Sequence, residues 1–123
     1  MTTIATRFRG YLQVVVDVEP GGFDARTDAL LELAGVVVDM DDEGLVHPGE
    51  RFHRHVVPFA GAKLEPAALE FNGIDPHHPL RIAVPEAEAM ADFFRLVRQE
   101  VKRTGCKRAV LVGHNATFDH SFV

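Results

Sequence analysis

An α/β domain, built from a three-stranded meander and one further strand with flanking helices, follows from three features of the 123-residue sequence. The run at residues 11–16 is apolar and β-branched on both of its faces, as an interior, buried strand requires. Apolar residues recur at intervals of three and four through residues 85–104, the period of an amphipathic helix. A second apolar run at residues 109–112 is too short for a helix and too apolar for a loop.

The elements follow in order. The first strand runs directly into Asp17, Val18 and Glu19 and ends at a Pro-Gly-Gly turn. After a polar segment, residues 30–40 read as a second strand, closed by Asp41, Asp42, Glu43 and Gly44, which suit a tight reversal. Residues 51–57 complete the meander. Residues 64–71 form a short helix that tolerates Pro66 in its first turn, and Asn72-Gly73 supplies a left-handed C-terminal cap. In the long helix of residues 85–104 the inward stripe is Ala89, Met90, Phe93, Phe94, Val97 and Val101, and Gly105 stops it. The strand at 109–112 lies beside the first, and Asn115 caps a new helix two turns before the sequence ends at Val123. With no partner for the second face of the sheet, residues 1–123 are expected to be an incomplete domain whose C-terminal part is missing.

Composition narrows the function. With 46% apolar and 25% charged residues the chain is globular rather than disordered. No apolar run reaches the ~20 residues that span a bilayer, and the first residues hold no signal core, so no membrane partner and a cytoplasmic location are expected. The single cysteine, Cys106, excludes an internal disulfide and fits a reducing compartment. Thirteen Lys and Arg against 18 Asp and Glu leave a net charge of -5, so any binding of nucleic acid must be local.

Asp17 and Glu19 are two apart on a strand, so both side chains project from the same face. Carboxylates that close repel unless they are solvated, protonated or bridged by a cation, and hard oxygen ligands suit Mg²⁺ or Mn²⁺. Asp119 follows the second buried strand. A helix beginning near Asn115 would turn it back over the strand ends, and the three carboxylates are expected to converge within metal-bridging reach. The seven histidines read as structural or solvated.

A buried strand ending Val-Val-Asp-Val-Glu, followed far downstream by His-Asn-Ala-Thr-Phe-Asp, resembles the first two motifs of the DEDD superfamily of 3′→5′ exonucleases, and within it the ribonuclease T family. The similarity extends through Arg-Phe-Arg-Gly-Tyr at residues 7–11, residues 22–32, Glu-Phe-Asn-Gly-Ile-Asp-Pro at residues 70–76, and the ending from His114. It implies a ribonuclease H-like mixed sheet and a Mg²⁺-dependent exoribonuclease that trims the 3′ ends of tRNA and other stable RNAs. Asp17 would bridge two Mg²⁺ ions, Glu19 would bind one, and Asp119 would help hold the other, with the ions about 4 Å apart. The general-base histidine and the last metal-binding aspartate of this family belong to a later segment absent from residues 1–123, so the chain alone is expected to be inactive.

By composition Phe23, Phe71 and Phe118 are core residues; the resemblance instead makes them stacking platforms for the last bases of a single-stranded 3′ end, of RNA or of DNA. It likewise makes Arg7, Arg9, Lys102 and Arg108 the cations that grip RNA and deliver it to the other subunit of a homodimer. Two positions depart from the family. Ala67 replaces a base-contacting glutamate, and Pro20 replaces the threonine or serine usual after the acidic pair. The alternatives are another DEDD exonuclease, of the oligoribonuclease or DNA-proofreading type, and a non-catalytic fragment that binds single-stranded nucleic acid.

Overall fold

The computed structural model describes residues 3–22, 24, 26–113 and 122. Its elements are α1 (Ile4–Arg7), β1 (Tyr11–Pro20), β2 (Leu30–Met40), β3 (Val46–Val57), α2 (Pro66–Asn72), β4 (Val84–Pro85), α3 (Glu86–Thr104) and β5 (Arg108–Val112). The strands form one mixed sheet in the order β4-β3-β2-β1-β5. β1, β2 and β3 are antiparallel neighbours, whereas β5 runs parallel to β1 and β4 parallel to β3.

The core lies between this sheet and α3. Leu12, Val14, Val16 and Val18 of β1, Leu33 and Val37 of β2, and Phe52 and Val56 of β3 are buried against Ala89, Phe93 and Val97 of α3. The centre of the contact is Phe93, fully buried and edge-on to Phe52, with ring centroids 5.4 Å apart. It fits because position 35 is glycine: a Cβ there would stand 2.9 Å from the Phe93 ring.

The opposite face of β1 carries Tyr11, Gln13, Val15, Asp17 and Glu19, and there Tyr11, Val15 and Asp17 are exposed. The expectation of a first strand buried on both faces is therefore corrected among the described residues. Its burial alternates strictly, because α3 covers one face only.

Several boundaries also differ from the sequence reading, and β5 begins one residue early, at Arg108. β3 begins at Val46 rather than at residue 51, because the pairing continues beyond a bulge through Val38 with Pro48, Asp39 with His47 and Met40 with Val46. The turn between the strands is closed by Asp41, whose Oδ1 accepts from the backbone N–H groups of Glu43 and Leu45. α2 begins at Pro66 and extends to Asn72, and α3 begins at Glu86 because Pro85 is extended and pairs with Val57. That two-residue strand β4, too short to leave a periodic signal, makes the sheet five-stranded. α1 was also unanticipated; a reciprocal capping box between Thr3 and Thr6 holds it. The helix expected from Asn115 lies outside the described residues.

The seating of α3 yields a first prediction. Phe93→Ala should cost about 3–5 kcal/mol by opening a cavity, and Gly35→Ala about 1–3 kcal/mol by overpacking. Urea denaturation of the double variant should give less than the sum of the two losses, since the smaller side chain at 93 admits the new methyl group. Strict additivity would show that the two positions are not in contact.

Candidate active site

The inward alternation of β1 dictates where its carboxylates go. With Val16 and Val18 in the core, Asp17 and Glu19 must share the open face, the first exposed and the second half-buried. In register, Asp17 lies beside Ala34 and Glu19 beside Glu32 on β2. Asp17 has no ion-pair partner among the described residues. Two oxygen donors on one strand face, of which Asp17 is exposed and carries no ion pair among the described residues, suit a hard divalent ion, so the residues present fit the metal expected from sequence.

β5 ends at the same end of the sheet. It runs parallel to β1 and pairs Val112 with Val15, two residues before Asp17. The chain thus leaves β5 on the side where β1 presents its carboxylates, the usual location of sites in sheets with parallel strands. Asp119 and Phe118, which follow, lie outside the described residues, as does Phe23.

The loops around the end of β1 are held by close backbone approach. A Cβ on Gly21 would stand 2.6 Å from Leu64 Cδ2, and one on Gly22 would stand 2.2 Å from Asp28 Oδ2. Asp28 is buried, and its carboxylate accepts from the backbone N–H of Asp24 and the hydroxyl of Thr27. Nearby, hydrogen bonds from the Arg26 side chain and backbone hold the Asp24 carboxyl below the usual carboxylate range. The Asp28 segment is in turn strapped to Lys63 by two backbone hydrogen bonds, Ala29 N–H to Lys63 and Lys63 N–H to Thr27.

α2 is fastened to the same strand end. Asn72 Nδ2 donates to the Pro20 carbonyl at 2.9 Å, while Asn72 Oδ1 accepts from Ile74 N–H. At the other end of the helix, Glu65 N–H donates to the Gly21 carbonyl. Phe71, adjacent to Asn72, is 89% exposed. Among the described residues, Phe71 is thus an unburied aromatic on a helix tied at both ends and takes no part in the core.

The cations divide. Gly10, at the entrance to β1, accepts on its carbonyl the N–H groups of both Lys107 and Arg108 at the entrance to β5. This junction gathers Arg9, Lys107 and Arg108 around one shallow hollow with Gly10 and Tyr11. Arg9 adopts a left-handed conformation with φ 57°, uncommon for a residue with a side chain. Arg7 lies in α1, donates to the Gly44 carbonyl and stands over the Phe8 ring, and Lys102 is exposed in the last turn of α3; neither lines the hollow. Lys107 was missed in the sequence because an isolated lysine beside a turn carries no periodic signal.

Two further groups were invisible in the sequence. Arg81 Nη2 donates to the carbonyls of Leu31 and Val56 at 2.6 and 3.0 Å, and burial lowers its pKa from the ordinary arginine value. Leu31 is the residue skipped where the β1–β2 register shifts beyond Glu19, so Arg81 satisfies a carbonyl exposed by that irregularity. Glu32, His53 and His55 come together on the open face, from β2 and β3.

Comparison with known proteins bears directly on this arrangement. A family model for exonucleases of the RNase T type matches residues 14–123. Ribonuclease T of Photorhabdus laumondii is 60% identical over 120 residues, covering 98% of this chain and 55% of that protein. Ribonuclease T of Hahella chejuensis is 58% identical over 120 residues, and that of Pectobacterium atrosepticum 56% over 123 residues. The chain thus spans about 55% of the length of these curated relatives. Among solved structures, E. coli Exonuclease I in complex with a dT13 oligonucleotide superposes with a TM-score of 0.70 at 21% identity, covering 91% of this chain and 22% of that one. At that identity the likeness concerns the fold.

The fastening of α2 gives a second prediction. Asn72→Ala removes two hydrogen bonds, each worth about 0.5–1.5 kcal/mol, and should destabilise the chain by about 1–3 kcal/mol. Amide hydrogen exchange at Glu65 and Gly73 should accelerate together, because both ends of α2 depend on its attachment. Unchanged exchange at both amides would detach Phe71 from this anchoring.

Proposed function

The chain belongs to the RNase T family of exonucleases, and we propose that residues 1–123 form the N-terminal part, with the first two of three motifs, of a Mg²⁺-dependent 3′→5′ exoribonuclease. The observation that carries this reading is the placement of Asp17 and Glu19 together on the open sheet face, at the end of β1 toward which β5 also runs. The substrates we assign are the single-stranded 3′ ends of tRNA and other stable RNAs, and DNA 3′ ends are a second candidate. The full protein is assigned to the cytoplasm; no described helix is long and apolar enough to cross a membrane.

In this reading Asp17, Glu19 and Asp119 hold the metal, which when bound activates water and stabilises the leaving oxygen of a phosphodiester. Asp17 is poised for this because it is exposed and carries no competing ion pair among the described residues. Phe71 offers an open ring on which a terminal base stacks, an interaction worth roughly 1–3 kcal/mol per base without demand for one sequence. Phe23 and Phe118 are assigned the same role.

Arg9 and Arg108, with Lys107, are assigned to RNA phosphates, and Arg7 and Lys102 to the edge of the same surface. Six residues of extended chain separate Tyr11, beside that hollow, from Asp17, roughly 20 Å at the usual rise of a strand. Cations so far from the carboxylates of their own chain serve best by presenting RNA to a second copy, and this supports a homodimer of the full-length protein.

Residues 1–123 alone should trim 3′-labelled single-stranded RNA at least about 10²-fold more slowly than when joined to the C-terminal segment of a relative, even with ample Mg²⁺. Losing a general base alone typically removes about 10²–10⁴-fold in rate. Joined to the remaining C-terminal segment of the Photorhabdus relative, residues 1–123 should support Mg²⁺-dependent trimming that Asp17→Ala abolishes. Trimming by the chimera that survives Asp17→Ala would overturn the assignment. In the same chimera, Arg9→Ala with Arg108→Ala should weaken RNA binding and reduce the salt dependence of the affinity by about one counterion per lost phosphate contact. An unchanged salt slope would remove both arginines from the RNA path.

A further inference from the structure

The open face of the sheet holds a second group of donors with a different chemistry. Glu32 on β2 pairs in register with His55 on β3, and His53, two residues earlier on the same face, pairs with Ala34. One potential ligand atom from each of Glu32, His53 and His55 lies within 4.8 Å of the other two. His53 Nε2 contacts Glu32 Oε1, and the two imidazoles meet edge to face with centroids 4.9 Å apart. His55 Nδ1 is buried with no hydrogen-bond partner among the described residues, although an imidazole nitrogen withdrawn from water ordinarily has one.

We propose that Glu32, His53 and His55 form a binding site for a divalent transition-metal ion, with Zn²⁺ the best fit, distinct from the carboxylate pair of Asp17 and Glu19. The donor set decides the class of ion. Two imidazoles and one carboxylate suit borderline ions such as Zn²⁺ and Co²⁺, whereas Mg²⁺ requires oxygen ligands. Tetrahedral bonds of about 2.0–2.1 Å place ligand atoms roughly 3.4 Å apart, so rotations of the three side chains through about an ångström close the site. Three protein ligands leave a fourth position open to water or to another group.

The sheet register separates this site from the other one. Glu32 is the direct neighbour of Glu19, but His53 stands two strands from Asp17, roughly 10 Å away at the normal strand spacing. The local charge is mixed. Glu19 and Glu32 add negative potential, and the Arg81 guanidinium, which feels the charge of Glu32, offsets part of it while held on two carbonyls. An ion here would replace the contact between His53 and Glu32 and give His55 Nδ1 a partner.

The test uses the chain itself, with Zn²⁺ as the probe in calorimetry and Co²⁺ in visible absorption. One equivalent of Zn²⁺ should bind saturably in the presence of a large excess of Mg²⁺, and Co²⁺ should give the intense absorption of a tetrahedral site. His55→Ala and Glu32→Gln should each weaken Zn²⁺ binding by about 100-fold or more, since even partners that only orient metal ligands contribute 10–100-fold. Asp17→Ala, His47→Ala and the pair His77→Ala with His78→Ala should leave it unchanged. Should a sheet variant fail to fold, imidazole ¹⁵N resonances of the unaltered chain provide the reading: Zn²⁺ should shift those of His53 and His55 and leave His77 and His78 in place. No stoichiometric binding, displacement of Zn²⁺ by Mg²⁺, or shifts confined to His47, His77 or His78 would overturn the proposal.

Discussion

The contact between Phe93 and Gly35 decides which face of the sheet is inside. A ring seated where a Cβ would stand 2.9 Å away brings α3 as close to β2 as backbone sterics allow, and the flanking β1 and β3 receive the rest of the stripe. Each fully buried Val, Leu or Phe side chain contributes about 1.5–3 kcal/mol. The inner row of Leu12, Val14, Val16 and Val18 therefore holds β1 far more strongly than any polar contact on the other face could. A one-residue slip of register would exchange the two rows and place Asp17 and Glu19 under α3. The acidic pair is thus placed on the open face as a consequence of the hydrophobic pattern.

What the core does not determine is the geometry beyond Glu19, and there the chain relies on small residues and specific hydrogen bonds. The register shift after Glu19 leaves Leu31 outside the ladder, and Arg81 supplies its carbonyl with a donor. Gly21 and Gly22 admit Leu64 and Asp28 at distances closed to any other residue, and Asn72 ties α2 to Pro20. This explains how proline can follow the acidic pair. Its missing N–H is not needed at the end of a strand, and its carbonyl becomes the anchor for the helix that carries Phe71.

The parts of the fold that bury a periodic stripe were legible in the sequence. β2 was read to both of its ends, and α3 and β5 to within a residue, because apolar period and terminating turn residues agreed at each. The acidic pair was legible for the same reason, since strand alternation alone places residues 17 and 19 on one face. Elements defined by pairing or capping were not. β4 is only two residues long, α1 rests on a Thr3–Thr6 capping box, and the first half of β3 lies beyond a bulge and is mostly exposed. The His53–His55–Glu32 group was equally hidden. Two histidines at alternate positions signal nothing until the register of β2 against β3 sets a glutamate beside them, and that register depends on the bulge between residues 36 and 38.

The two ends of β1 have opposite electrostatic character. The entrance to the strand is where the Gly10 carbonyl gathers the starts of β1 and β5, and with them Arg9, Lys107 and Arg108. The exit carries Asp17 and Glu19, with Glu32 beside them. At moderate salt the Debye length is about 10 Å, so charges separated by roughly twice that act almost independently across water. The cations therefore do little to neutralise the carboxylates, and the two ends of β1 keep potentials of opposite sign. For the proposed function, such a division answers the difficulty posed by the net charge of -5. A chain that repels polyanions on average can still attract a phosphate backbone at one end of a strand while reserving the other end for cations.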